Sequence, residues 1–188
     1  MDKDVSAGSN TTTLGYLLLG VTLLAFGLGH TDVIDGVSAA NALDLAMWAG
    51  GLGLFVTGLL EFRAGSNATG TAFAGLGALW FTWSAAADSG ASANAAGLFS
   101  LLFALVALSL ALASSGSGLL TQAVYGFLFL SMLLLAIGSF ADNTDLAKVG
   151  GWAAAVSGAA AWYTATAAMA HLPTSMPRRA AHRETAAA

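Results

Sequence analysis

The chain has 188 residues, of which 57% are hydrophobic and 9% are charged, and its formal net charge is -4. Ordinary soluble domains carry about 25% charged residues, so this composition excludes a typical water-soluble globular protein. The absence of cysteine excludes disulfides and thiolate metal sites. Six Lys and Arg residues provide no basic stripe, so nucleic acid is not expected as a partner.

Six apolar runs follow one another along the chain, and most ionisable residues lie between them. A bilayer core of about 30 Å requires roughly 20 apolar residues in helical form. The sequence therefore predicts an all-α integral membrane protein with six transmembrane helices. Short loops between the runs predict antiparallel neighbours. The runs cover residues 14–29, 43–62, 71–87, 95–113, 119–141 and 149–170.

Polar stretches flank this membrane domain, which we place at residues 14–171. Residues 1–13 are expected to form a short polar segment, and residues 172–188, with both prolines, a disordered cytoplasmic tail. Asn10 and the three threonines after it are candidates for the N-cap of the first helix. Because a helix start exposes free N–H groups that suit a carboxylate, Asn10 is also a candidate substrate contact.

The distribution of basic residues predicts the topology, since short cytoplasmic loops retain Lys and Arg. With the N-terminus inside, Lys3, Arg63 and the tail arginines are cytoplasmic, and Lys148 faces outward. Both termini are therefore expected in the cytoplasm of a multi-pass plasma-membrane protein, with lipid as its surroundings. The opposite face collects an acidic rim of Asp32, Asp35, Asp44, Asp88, Asp142 and Asp145.

Glu61 is the polar residue that stands out at membrane depth, because it ends the second apolar run with apolar neighbours before it. Polar groups at that depth are functional candidates by default. Two interpretations are open. Glu61 either pairs with Arg63 at the interface as a helix-end carboxyl, or is a partly buried carboxyl that takes part in proton exchange.

The third run has two distinct helical stripes, either of which is a candidate lining for a solute path. One is small and hydroxyl-bearing, with Thr71 and Thr82 at its ends, and the other is bulky, with Leu76 and Trp80. Trp80 is a candidate path residue. The remaining Trp and Tyr side chains, Tyr16 and Tyr125 among them, are expected mostly in the aromatic belt at the membrane surface.

The 23 glycines predict close helix packing, within the bundle or between subunits, because small residues let helices approach in lipid. Such packing leaves room only for a small solute. No arrangement typical of an enzyme or a metal site is present, and no cofactor is expected.

Several motifs resemble the succinate-acetate permease, or acetate uptake transporter, family. The resemblance extends from Asn10 to about Tyr163, and its most specific part joins a Gly-Gly to Gly-Leu-Leu-Glu helix to Thr-Ala-Phe and Trp at the family's spacing. The matching residues are Trp48 to Gly51, Gly58 to Glu61, Thr71 to Phe73 with Gly77 and Trp80, Leu134 to Gly138, and Gly151 with Trp152.

The resemblance implies a six-helix protomer in a homohexamer, which conducts acetate and in some members succinate, often with a proton. It implies a narrow hydrophobic constriction at Leu19, Leu76 and Leu128, where the family usually has aromatic residues at the first two positions. This chain departs from the family at Thr11 and Thr13, where prolines are usual, at Leu54 in place of Gln, and at Ser139 in place of Asn.

We therefore expect a channel or transporter for small monocarboxylates. Asn10 would attract the carboxylate, the three leucines would form the barrier, and Glu61 would exchange protons or hold the helix ends. Two alternatives stay open: a non-transporting membrane sensor or scaffold with the same fold, and a channel for another small weak acid or neutral solute.

Overall fold

The structure, a computed structural model, describes residues 7–172, and within this range it is all-helical with no strand. Six helices match the six apolar runs, as the sequence predicted. They are α1 (Ala7–Thr31), α2 (Ala39–Arg63), α3 (Asn67–Asp88), α4 (Ala93–Ala113), α5 (Leu119–Phe140) and α6 (Thr144–Ala170). Residues 1–6 and the expected tail beyond residue 172 lie outside the described range.

Helix α1 begins earlier than its apolar run. Because it starts at Ala7, Asn10 to Thr13 lie inside its first turns, and their assignment as N-cap residues is wrong. Side-chain caps occur elsewhere: Ser92 accepts a hydrogen bond from the Ala95 amide, and Asn143 accepts from the amides of Asp145 and Leu146.

Four of the helices in the described range are long and apolar enough to cross a membrane: α1, α2, α4 and α5. Helices α3 and α6 are long enough but less apolar, because they are rich in Ala, Gly, Ser and Thr. Both pack against helices that are long and apolar enough to cross a membrane: α3 packs against α2, and α6 packs against α1 and α5.

The six helices form a ring in which most neighbours in sequence are neighbours in space. The α3–α4 contact is slight, and the most extensive contact closes the ring between α6 and α1. Because consecutive helices are antiparallel, α1, α3 and α5 run in the same direction. Their side chains meet in one buried apolar core, to which Leu19, Leu76 and Leu128 belong.

Glycine allows α1 and α6 to touch through their backbones. A Cβ atom on Gly27 would lie 2.5 Å from the Ala155 nitrogen, and one on Gly158 would lie 2.7 Å from the Leu24 nitrogen. Gly20 faces Trp162 in the same way. Such close approach supplies the dispersion contacts that hold helices together in lipid, where no hydrophobic force acts between them.

Helices α2 and α3 meet by the same device, with Gly58 against Ala74 and Gly77 against Phe55. Helix α2 is itself irregular: after a 3-10 turn at Ala39–Ala42 it widens into a π-helix at Ala46–Gly53 before it becomes α-helical. The widened segment contains Gly50, whose missing side chain leaves room for Thr22 of α1.

We predict that Gly27→Ala destabilises the protein, because the added methyl group would overlap the α6 backbone, and overpacking of this kind typically costs about 1–3 kcal/mol. The matched control is Gly126→Ala on α5, where a Cβ would meet no atom within 4 Å. Thermal unfolding in detergent, followed by circular dichroism, should show a lowered Tm for Gly27→Ala alone. Equal Tm values for the two variants would refute the backbone contact.

Candidate functional site

Glu61 is fully buried at the end of the bundle where α1 begins and α2 ends. Its Oε1 atom accepts hydrogen bonds from the hydroxyls of Thr11, at 2.5 Å, and Thr12, at 2.8 Å. Its Oε2 atom is buried and has no hydrogen-bond partner in the described part of the chain. The backbone oxygen of Glu61 accepts from the Ser66 amide at 2.9 Å, so this residue joins α1, α2 and the turn before α3.

This arrangement bears on one of the two sequence-based interpretations of Glu61, its pairing with Arg63. Arg63 is exposed and forms no ion pair with Glu61, so their pairing at the interface is wrong. The ion pair that the described residues do form, Lys148 with Asp32 at 3.1 Å, lies at the opposite end of the bundle. The Glu61 carboxyl group is buried against α1 because two threonine hydroxyls of that helix donate hydrogen bonds to it.

A cavity of about 220 Å³ lies at the Glu61 end, between α1, α3, α4 and α5. It is smaller than the roughly 300–1,000 Å³ of pockets for drug-sized ligands, so it suits a small solute. Seven of its lining residues carry hydroxyl groups: Thr12, Tyr16, Thr69, Ser114, Ser117, Thr121 and Tyr125. The others are Ala68, Ala72, Leu110 and Ala113. Because Thr12 bonds to Glu61, one hydroxyl connects this cavity to the buried carboxyl group.

The leucines expected at the constriction lie one helical turn beyond the inner end of this cavity. Leu19, Leu76 and Leu128 follow the lining residues Tyr16, Ala72 and Tyr125 by three or four positions on helices that run in the same direction, which is about 5 Å along each axis. All three leucines are 0% exposed. Hydroxyl groups thus give way within a single turn to these three buried leucines, which we call the leucine layer.

Aromatic packing continues the closed segment beyond the leucines. Trp80 is fully buried and makes edge-on contacts with Phe26, Trp83 and Phe103, at ring-centre distances of 5.1, 5.8 and 5.3 Å. Its indole N–H is buried without a hydrogen-bond partner among the described residues. Trp80 therefore occupies the core and not the membrane surface, as the sequence analysis expected for this tryptophan.

The structure does not bring all the predicted path residues together. Thr71 and Thr82 are exposed on the outer face of α3, and Thr82 bonds to the Ala78 carbonyl of its own helix. They lie on the face opposite Leu76 and Trp80, so a path through the core of the protomer does not include them. Asn10 is also exposed, on the first turns of α1.

Most residues that line the cavity were not predicted from the sequence. Tyr16 and Tyr125, expected in the aromatic belt, are 7% and 4% exposed and line the cavity, so that expectation is wrong for both. Thr12 and Tyr16 are four residues apart on α1, as are Thr121 and Tyr125 on α5. This spacing places each pair on one helix face and was the available signal.

Comparisons with known proteins agree with this architecture. Residues 3–178 match the model of the GPR1/FUN34/yaaH family. The succinate-acetate/proton symporter SatP of Escherichia coli (strain K12) is 26% identical over 84% of this chain and 86% of its own length. Ammonia transport outward protein 3 of Saccharomyces cerevisiae is 28% identical over 83% of this chain, which spans 61% of that longer protein.

Among solved structures, that of the bacterial acetate channel SatP superimposes with a TM-score of 0.80 at 25% sequence identity. The match covers 89% of this chain and 97% of the channel's chain. The resemblance noted from the sequence motifs is thereby confirmed. Since the family model spans nearly the whole sequence, this chain is a member of the GPR1/FUN34/yaaH family.

Proposed function

We propose that this protein is a membrane channel or transporter for small monocarboxylates, acetate foremost, with succinate as a further candidate. The observation that carries the proposal is the hydroxyl-lined cavity that ends at the layer of Leu19, Leu76 and Leu128. The bacterial relative named as a succinate-acetate/proton symporter and the solved acetate channel support it.

The polarity change along this path favours a solute with one ionisable group and a short apolar part. A carboxylate loses much hydration free energy in a low-dielectric region unless hydrogen bonds or a proton compensate for it. Hydroxyl groups in the cavity offer such hydrogen bonds. The aliphatic layer then favours the neutral acid or a briefly dehydrated anion, and it disfavours larger or multiply charged solutes.

Glu61 is the residue we assign to proton exchange. It is fully buried, its Oε2 atom has no hydrogen-bond partner in the described range, and its partner Thr12 lines the cavity. A proton that enters the cavity thus reaches the carboxyl group through one hydroxyl. The helix-end role is compatible with this assignment, because the Oε1 atom of the same carboxyl group joins α2 to α1 through Thr11 and Thr12.

We further propose six membrane crossings with both termini in the cytoplasm of a plasma-membrane protein. The support is that Arg63 and Lys148 lie at opposite ends of the bundle, and that α3 and α6 lie alongside helices apolar enough to span. The homohexamer rests on the family resemblance and stays a prediction.

Because the chain contains no cysteine, its topology can be tested with single introduced cysteines. Lys3→Cys and Arg178→Cys should both be labelled by a membrane-impermeant thiol reagent from the cytoplasmic side, and Lys148→Cys from the outer side. Labelling of the first two positions from different sides would contradict an even number of crossings.

One alternative solute class has specific support, since two yeast relatives carry the name ammonia transport outward protein. A small neutral molecule such as ammonia would also fit a narrow path with an aliphatic barrier. A non-transporting sensor or scaffold is the remaining alternative, and the departures from the family at Thr11, Thr13, Leu54 and Ser139 favour it.

Uptake of labelled acetate into proteoliposomes tests the proposed function directly. We expect uptake above that of empty vesicles, faster with an imposed pH gradient, and reduced by excess unlabelled acetate but not by ammonium. Uptake equal to that of empty vesicles would exclude the acetate assignment, and competition by ammonium in place of acetate would favour the alternative solute.

The Glu61→Gln variant tests the proposed proton exchange in the same assay. The amide oxygen of glutamine can accept both threonine hydrogen bonds, so the fold should persist, while the exchangeable carboxyl proton is lost. We expect acetate uptake without a gradient to continue and the acceleration by the gradient to disappear. Unchanged acceleration would leave Glu61 only its role at the helix end.

A further inference from the structure

Two phenol side chains lie at the inner end of the cavity. Tyr16 of α1 and Tyr125 of α5 both line it, and both are nearly buried. Their hydroxyl groups are near enough to interact electrostatically. The Tyr16 ring packs edge-on against Phe73, at a ring-centre distance of 5.4 Å and an angle of 86°, which fixes its orientation.

The two phenols lie directly before the layer formed by Leu19, Leu76 and Leu128. Leu19 follows Tyr16 by three residues and Leu128 follows Tyr125 by three, so the phenols are the last polar groups before the leucine layer on these two helices. A solute that moves from the cavity towards the leucines therefore passes next to them.

Two of the other cavity hydroxyls are engaged within the protein. Thr12 donates to Glu61, and Ser114 donates to the Ala111 carbonyl at 2.9 Å. Each phenol has one O–H donor, and a hydrogen bond between the two phenols would use only one of these donors. At least one O–H group is therefore left for a solute.

We propose that Tyr16 and Tyr125 form the carboxylate-recognition site of this protein, binding the carboxyl group of a short-chain monocarboxylate at the inner end of the cavity while its alkyl part enters the leucine layer. Hydrogen bonds from neutral donors to an ionised acceptor are about twice as strong as those between neutral groups, so two phenols select a carboxylate. The inference rests on the proposed function, and it names the residues that determine specificity.

The phenylalanine variants Tyr16→Phe and Tyr125→Phe test this site, because each removes one hydroxyl and keeps the ring and its packing. Acetate binding to purified protein, by saturation-transfer NMR, and acetate uptake into proteoliposomes are measured in parallel. Each variant should bind acetate about tenfold more weakly and raise the KM for uptake by a similar factor, with the maximal rate little changed.

The matched control is Tyr163→Phe, which removes a phenol hydroxyl from a half-exposed position on α6 outside the cavity lining. Its acetate affinity and KM should equal those of the unmodified protein. Any purely structural effect of losing a tyrosine hydroxyl would appear as a lowered Tm without a change in acetate affinity.

The two measurements separate failure of the site from failure of the function. If the unmodified protein transports acetate and both cavity variants match it in KM and affinity, the site is refuted and the proposed function stands. If acetate binds through the phenols but is not taken up, the site stands and transport is refuted. Absence of both binding and uptake would overturn both.

Discussion

The structure depends on the backbone contact between α1 and α6. In lipid every backbone polar group must be satisfied within the protein, and helices gain little from mutual hydrophobic burial, so they are held by close packing. Gly27 and Gly158 provide that packing at the point where the last helix returns to the first. Closing the ring there buries the α1, α3 and α5 side chains inside the bundle, and the path we propose through the protomer depends on that closure.

Within the ring of helices, polar and apolar side chains occupy successive levels along the bundle axis. Hydroxyl groups and the Glu61 carboxyl lie at one end, and Leu19, Leu76 and Leu128 follow, with the Trp80 ring cluster behind them. Each component needs the others. A polar cavity alone would only bind a small acid, and an aliphatic layer alone would exclude it. In the function we propose, a carboxyl group is held by hydrogen bonds in the cavity while a methyl-sized group enters the leucine layer, which would distinguish small monocarboxylates from larger or more highly charged solutes.

The sequence predicted the fold class well, because hydropathy is a property of whole segments and six apolar runs became six helices. Family resemblance located Leu19, Leu76 and Leu128, all of which are buried. What escaped prediction depends on contacts between distant segments. The partners of Glu61 are some 50 residues away in sequence, so its local neighbour Arg63 was the natural but wrong choice. Tyr16 and Tyr125 looked like surface aromatics because their shared cavity exists only once α1 and α5 are assembled.

The most direct test of the central claim, that the leucine layer is the barrier to a permeating acid, is the flux through Leu76→Ala compared with Leu105→Ala. Leu76 is fully buried in that layer, whereas Leu105 is 54% exposed on α4. In proteoliposomes Leu76→Ala should pass acetate faster and admit the longer acid butyrate, while Leu105→Ala should behave like the unmodified protein. Identical acetate and butyrate fluxes in the two variants, or no flux in either, would contradict the account.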